Sequence, residues 1–382
     1  MYSAAVHFFV RAGQNGQHGW LSGGGGFVYI GIDRALRQEV SHPMSTMKAC
    51  VIEGPRSAAV REVPVPEPGP GEVLIRVERA GICGTDVHIY KGEYISPYPI
   101  IPGHEFSGTV AGLGEGASGF RIGDRVTAEP NIHCGRCAYC QSHRGNHCVS
   151  WQAVGVTRGG AMAEYVAVPA GNVFRLPDGM SFAEGAFIEP LACVVHAMNR
   201  LQPAPGARTL LFGAGAMGQQ LIQALVHTGV SELAVVDISE GKLAMAAGWG
   251  ATRTVPSGQL DESGLLDEFP RGFDIVVDAT GIPQVIEQAL KYLGPAGKYL
   301  QFGVAARNAT IRLSPFDLFQ RDWTLIGSMA TNDTFHQALQ WAKAKRVRLE
   351  PLVTRVIGLD DLPCLFEQGA RPDDLKVQVQ IG

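Results

Sequence analysis

Four of the eight cysteines fall within fifteen residues, as Cys134, Cys137, Cys140 and Cys148 in a C-x2-C-x2-C-x7-C pattern. Two-residue gaps let successive thiolates turn inward from a tight loop, and four sulfurs at about 2.3 Å complete a closed tetrahedral zinc shell with no position left for substrate. A redox dithiol or an iron–sulfur cluster also uses C-x-x-C. A redox pair does not need four cysteines, however, and the flanks hold polar residues and histidines without a second cluster motif. The segment therefore reads as a structural zinc lobe. Elsewhere stand Cys83 in GICGTDVH, His104 and Glu105 in PGHEFSG, and Glu189 in FIEPLAC. A thiolate, an imidazole and one carboxylate, with water in the remaining position, is the composition of an open, catalytic zinc site. Taken singly, Cys83 is equally a buried apolar filler, His104 a satisfied loop histidine and Glu189 a helix-start acid favoured by the dipole.

A third group concerns phosphate. GAGAMG, Gly213 to Gly218, satisfies G-x-G-x-x-G; an apolar run from Thr209 to Phe212 leads into it, and Asp237 ends the next strand nineteen residues beyond Gly218. In that context the motif is a dinucleotide fingerprint. Gly213 allows the tight turn, Gly215 the backbone's approach to a pyrophosphate, and Gly218 close packing of helix on strand. The pyrophosphate then meets the free N–H groups and positive dipole end of the following helix. Asp237 would accept hydrogen bonds from the adenosine ribose and repel a 2′-phosphate, which predicts NAD over NADP.

The elements that must position these groups fall into two kinds. From Met47 to about Asn172, short runs rich in Val and Ile, such as GEVLIRVERAGI and AEYVAVPAGNVFRLP, are bounded by glycine and proline, the pattern of a mostly β domain. After about Ala197, TLLFGAG, ELAVVDIS, DIVVDATG, GKYLQFGV and TLIGS alternate with helical stretches such as QQLIQALVHTG. Uninterrupted apolar strands alternating with helices mean an α/β fold around a parallel sheet buried on both faces. TFHQALQWAKAKR reads as one further amphipathic helix.

Composition sets the outer bounds. The chain has 382 residues, 46% hydrophobic, 18% charged and a net charge of -4, ordinary for a globular protein of about two or three domains. Basic residues (32) are outnumbered by acidic ones (36) and the only basic run, KAKRVR, is short, which argues against nucleic acid as a partner. No run of about 18 apolar residues suggests a membrane span. The clustered cysteines favour a reducing, cytoplasmic compartment over a disulfide framework. Residues 1–46, with the glycine-rich HGWLSGGGGF, read as an N-terminal extension, a disordered tail or a mis-assigned start; an organelle transit peptide is the alternative.

From Met47 onward the chain resembles the zinc-dependent medium-chain dehydrogenase/reductase family, the alcohol dehydrogenase superfamily. GICGTDVH, PGHEFSGTV, the four-cysteine lobe, EPLACVVHA and the nucleotide fingerprint occur in the family's order. The resemblance implies a GroES-like, mostly β catalytic domain over residues 47–196 and 330–382 and a Rossmann NAD-binding domain over 197–329. It implies two zinc ions per chain, the catalytic one held by Cys83, His104 and either Glu105 or Glu189. Asp86 resembles the acid that orients the zinc histidine, and Thr85 and His88 resemble a proton relay through the cofactor ribose. Family members are usually dimers or tetramers through the Rossmann sheet.

Within the family, EPLA with Glu189 points to the polyol, sorbitol-like branch: NAD-linked, reversible oxidation of a secondary hydroxyl of a sugar alcohol or vicinal diol to a ketone. Sorbitol dehydrogenases also use a tyrosine after the relay histidine, for which Tyr90 is the candidate, and a late arginine, where this chain has Met329 and Ala330. That departure weakens sorbitol itself. L-Threonine 3-dehydrogenase and a simple secondary alcohol dehydrogenase are the runners-up. A noncatalytic nucleotide-binding or redox-sensing relative is the alternative of another class, set against Cys83, His104, Glu105 and Glu189 occurring together.

Overall fold

The computed structural model describes residues 45–382. The expected extension over residues 1–46 lies outside the described residues except for its last two. The MKACVIEG run forms a strand, Thr46–Gly54, paired antiparallel with Ser57–Pro64.

Two larger sheets carry the chemistry. In the seven-stranded sheet Glu72–Gly81 is central, pairing antiparallel with Glu105–Leu113, Tyr165–Pro169 and Lys376–Gln380. Glu105–Leu113 continues to Arg125–Ala128 and then to Val173–Arg175. The alternation in EVLIRV turns Val73, Ile75 and Val77 inward, where they meet Phe106, Val110, Val126 and Val168 in one core. The last strand, Lys376–Gln380, pairs parallel with Val353–Gly358 and returns the C-terminus to this sheet. That return brings Lys376 beside Glu105, 271 residues earlier in the chain.

The second sheet is six-stranded and parallel throughout, in the order Arg253–Pro256, Glu232–Asp237, Arg208–Phe212, Phe273–Asp278, Leu293–Gln301, Thr324–Gly327. Strand order reverses beside Arg208–Phe212, so the turn leaving its carboxyl end opens into the crevice where doubly wound sheets bind ligands. Near-continuous apolar runs such as TLLF and DIVVD are buried on both faces, as a parallel sheet covered by helices requires.

Helix Ile188–Leu201 joins the two halves. Leu191, Val194, Val195 and Leu201 pack into a core with Leu211, Val235 and Val277 of the parallel sheet, and with Phe335, Ala338 and Leu339 of helix Phe335–Lys343. This packing fixes the first turn of Ile188–Leu201, with Glu189, against the start of the Glu105–Leu113 strand. Among the described residues no helix is long and apolar enough to cross a membrane.

Candidate active site and metal centres

Cys83 stands immediately before helix Gly84–Lys91 with extended backbone. Asp86, in the first turn, accepts the Cys83 N–H at 2.9 Å with one carboxylate oxygen and the Gly103 N–H at 3.2 Å with the other. The second bond ties the PGHE turn to the ICGTD turn, and so brings His104 to Cys83. His104 precedes the Glu105–Leu113 strand and Glu105 opens it. One ligand atom from each of Cys83, His104 and Glu105 lies within 4.8 Å of the others.

The environment fits a cation. His104 Nδ1 is buried without a hydrogen-bond partner, 3.5 Å from Asp86 Oδ1. Burial opposes a charged imidazole, yet Asp86 and Cys83 outweigh it and hold His104 above its ordinary value. Those same negative groups are what a divalent ion would exploit, and Asp86 is the carboxylate beside the free ring nitrogen. Glu189 lines the same cavity from the helix side, outside the closely spaced trio. Burial pushes its carboxyl up to about 7, opposed by His104 and reinforced by Glu105. One turn on, the Cys193 thiol donates to Glu189 Oε1 at 3.4 Å.

Lys376 joins this centre from the C-terminal strand. Its ammonium donates to both Glu105 oxygens, at 2.8 and 2.7 Å, and to the Ile82 carbonyl at 3.1 Å. Burial works against this charge, but Glu105 and then Cys83 outweigh it and raise the Lys376 pKa. No local motif marks a lysine near the C-terminus as part of this centre; only the strand pairing does.

The cavity holds about 740 Å³. Cys83, Thr85, His104 and Glu189 form one side; Met217 of the glycine motif and the segments 301–304 and 327–330 form the other. Thr85 Oγ1 is 3.8 Å from Cys83 Sγ. The carboxyl ends of the parallel strands thus face the Cys83–His104–Glu105 trio across one space.

The glycine motif takes the form its spacing predicts. Gly213 has φ +95°, and a Cβ there would come within 2.9 Å of Thr280 Cγ2. A Cβ at Gly218 would overlap the Gly213 carbonyl oxygen, whereas one at Gly215 would meet nothing within 4 Å. Gly215 precedes helix Ala216–His227, leaving an open cradle at its N-terminus that fits a pyrophosphate. Asp237 closes its strand and accepts the Ala214 and Ser239 N–H groups at 2.6 and 2.8 Å.

In the four-cysteine lobe all ligand sulfurs lie within 4.8 Å of one another. Cys137 to Cys140 is 3.4 Å and Cys134 to Cys140 is 4.0 Å, bracketing the S···S separation of about 3.8 Å that a tetrahedron with 2.3 Å zinc–sulfur bonds requires. Backbone N–H groups of Cys140 and Val149 lower Cys137 to about 6, while burial and the neighbouring thiols push Cys140 up to about 12. None of the eight cysteines is joined in a disulfide.

Two expected residues stand elsewhere. His88 is on the outer side of its helix, 2.7 Å from Glu93 and nearly half exposed. Tyr90, the candidate substrate tyrosine, is a core residue: its ring stacks on Phe366 and its hydroxyl donates to the Arg56 carbonyl. The tyrosine that lines the cavity is Tyr94, placed there by the turn ending the helix rather than by the helix itself. Arg200, at the end of helix Ile188–Leu201, also lines the cavity.

Glu129, beneath the 331–333 segment, supplies a pH prediction. Burial pushes its carboxyl up to about 7, against the bond from Thr331 and with help from the like charge of Asp333. The folded pKa exceeds the unfolded one, so the stability contributed by the neutral form is present below about 4.5 and lost as pH rises through about 7. Glu129→Gln is expected to gain on the order of 2–3 kcal/mol over the native protein at pH 8 and much less at pH 5, read from urea midpoints. An equal difference at both pH values would refute the assignment.

The fold and these sites define a metal- and nucleotide-dependent dehydrogenase. Residues 69–178 match the alcohol dehydrogenase GroES-like domain and residues 216–344 the zinc-binding dehydrogenase domain. The chain is 31% identical over 339 residues to D-arabinitol dehydrogenase 1 of Uromyces fabae, covering 87% of this chain and 97% of that protein. It is 36% identical over 323 residues to L-threonine 3-dehydrogenase of Idiomarina loihiensis, covering 81% and 90%. A zinc-binding dehydrogenase structure from Sinorhizobium meliloti bound to NADP superposes with a TM-score of 0.85 at 32% identity, covering 88% of this chain and 99% of that one. The chain belongs to the zinc-dependent alcohol dehydrogenase family, and is an oxidoreductase working with zinc and a nicotinamide nucleotide.

Proposed function

We propose that the protein catalyses NAD-linked, reversible oxidation of a secondary hydroxyl of a sugar alcohol or vicinal diol to a ketone. The observation that carries this reading is the meeting of Cys83, His104 and Glu105 with the glycine motif around one cavity. Cys83, His104 and Glu105, with Glu189 on the same cavity, would hold a catalytic zinc, and Cys134, Cys137, Cys140 and Cys148 a structural one, two metals per chain. When bound, the catalytic zinc supplies Lewis acidity toward an alcohol oxygen and the nicotinamide an acceptor for hydride. The chain's own residues do the rest. Asp86 would orient His104, Lys376 balances the negative charge gathered around Glu105, and the Thr85 hydroxyl at the cavity wall would take up the substrate proton as it releases its own toward the cofactor ribose. His88, outside the cavity and bonded to Glu93, would then be the exit from the ribose to solvent.

Polyols are favoured by the similarity to a D-arabinitol dehydrogenase and by polar groups such as Tyr94 and Ser328 around the cavity. L-Threonine is the second reading. Arg200 lines the cavity with no carboxylate partner among the described residues, and an amino acid's carboxylate would use such a charge. Comparing kcat/KM across D-arabinitol, 2,3-butanediol, L-threonine and simple secondary alcohols decides between them. At least a tenfold preference for a polyol or diol is expected, and a threonine preference would overturn the choice.

Asp237 at the strand end supports NAD, since its charge opposes a 2′-phosphate. Asp237→Ala is expected to shift the NAD/NADP ratio of kcat/KM toward NADP by about tenfold or more, the scale of one removed charge contact; an unchanged ratio would refute the cofactor assignment. A homo-oligomer is proposed from the edge strand Thr324–Gly327, whose Leu325 is exposed, as are Phe316 and Phe319 of the helix before it. Four cysteines clustered at metal-ligand spacing suit a reducing, cytoplasmic setting.

A further inference from the structure

We infer that the four-cysteine lobe positions the wall of the catalytic cavity, holding the 328–333 loop in its cavity-forming conformation through Asn146 and the His143 carbonyl. The inference rests on the reading of that cavity as the alcohol site.

Ser328, Met329 and Ala330 line the cavity. The backbone that presents them is unfavourable by itself: Ala330 has φ +52° and Asp333 φ +55°. Left-handed non-glycine residues cost on the order of 1–3 kcal/mol each and persist only where surroundings over-determine them. Two of the hydrogen bonds that do so come from between Cys140 and Cys148. Asn146 Nδ2 donates to the Met329 carbonyl at 3.1 Å, and Asn332 Nδ2 donates to the His143 carbonyl at 2.8 Å. Asn146 is 6% exposed, so this bond is sheltered from water. A third tie is adjacent: Asn131 Nδ2 donates to Thr331 Oγ1 at 2.8 Å, while Asn131 Oδ1 accepts from the Trp151 indole at 3.0 Å.

The lobe segment carrying these partners is itself strained, with His143 at φ +56°. It contains only seven residues, from Gln141 to His147, between two of the four clustered thiols. Joining those thiols in one centre fixes both ends of the segment and thereby the positions of Asn146 and His143. The loop's cavity-lining residues inherit that order. The lobe therefore acts on substrate affinity without touching substrate.

The test compares zinc-loaded wild type with Asn146→Ala and Asn332→Ala. The readouts are KM and kcat for D-arabinitol, zinc content, and amide hydrogen exchange of residues 327–334. Both variants are expected to keep their zinc and a kcat within about twofold, to raise KM about tenfold, and to speed exchange of 327–334 about tenfold, with Glu105–Leu113 unchanged. Folded variants with native KM and native exchange would overturn the inference. Should Asn146→Ala fail to fold, Asn332→Ala, on the loop side and half-buried, decides alone. If wild type oxidises no alcohol, the functional reading fails, while the exchange rates still decide whether the lobe holds the loop.

Discussion

His104→Ala is expected to lose one zinc per chain and at least about a thousandfold in kcat/KM while remaining folded. The loss follows from removing a proposed ligand of the centre, whose metal would supply several kcal/mol of transition-state stabilisation as a Lewis acid. Retention of the fold follows from the hydrogen bonds around it. His104 Nδ1 has no partner, and Asp86 keeps the Cys83 and Gly103 N–H bonds that join the two turns. Cys83→Ser is expected to behave alike, since its backbone N–H, which serves Asp86, survives the substitution. Zinc analysis, circular dichroism and steady-state kinetics on the same preparation check the three components together. A folded His104→Ala enzyme of full activity would contradict the assignment of the centre.

In the metal-free protein, Lys376→Met is expected to be the most destabilising single substitution among the site residues, by about 3–5 kcal/mol. Both Glu105 oxygens and the Ile82 carbonyl lose their donor at once, and Lys376 is 5% exposed and Glu105 2%. A buried charge left without its partner costs that much. Adding Glu105→Gln removes the orphaned charge and is expected to recover more than half of the loss, a coupling that two independent sites would not show. Denaturant unfolding of the two single variants and the double variant measures it. Additive losses would mean the pair is incidental to the fold.

The sequence carried the site unevenly. Local motifs were fully legible: ICGTD, GHE and the four-cysteine lobe each fold within a few residues, and the strand–GAGAMG–helix context holds every signal for its turn. The parallel sheet was legible too, because runs such as TLLF and DIVVD are apolar on both faces. Spacing along a helix does not say which side meets the cavity, so Tyr90 reads as a substrate residue although it packs in the core, against a Phe366 ring from far along the chain. Lys376 and Asn146 went unread for a related reason. Their roles depend on pairings across 271 and 183 residues, which no periodicity encodes. Arg200 reads as an ordinary helix-end cation until the fold sets it on the cavity.

The most direct test of the central claim is the mass of the reduced cofactor formed from NAD and D-arabinitol deuterated at every carbon-bound position. Hydride transfer from carbon to nicotinamide predicts a reduced cofactor one mass unit heavier than ordinary NADH, appearing with one equivalent of ketone. Unlabelled NADH, or no reduction of NAD by any polyol or diol, would contradict the account.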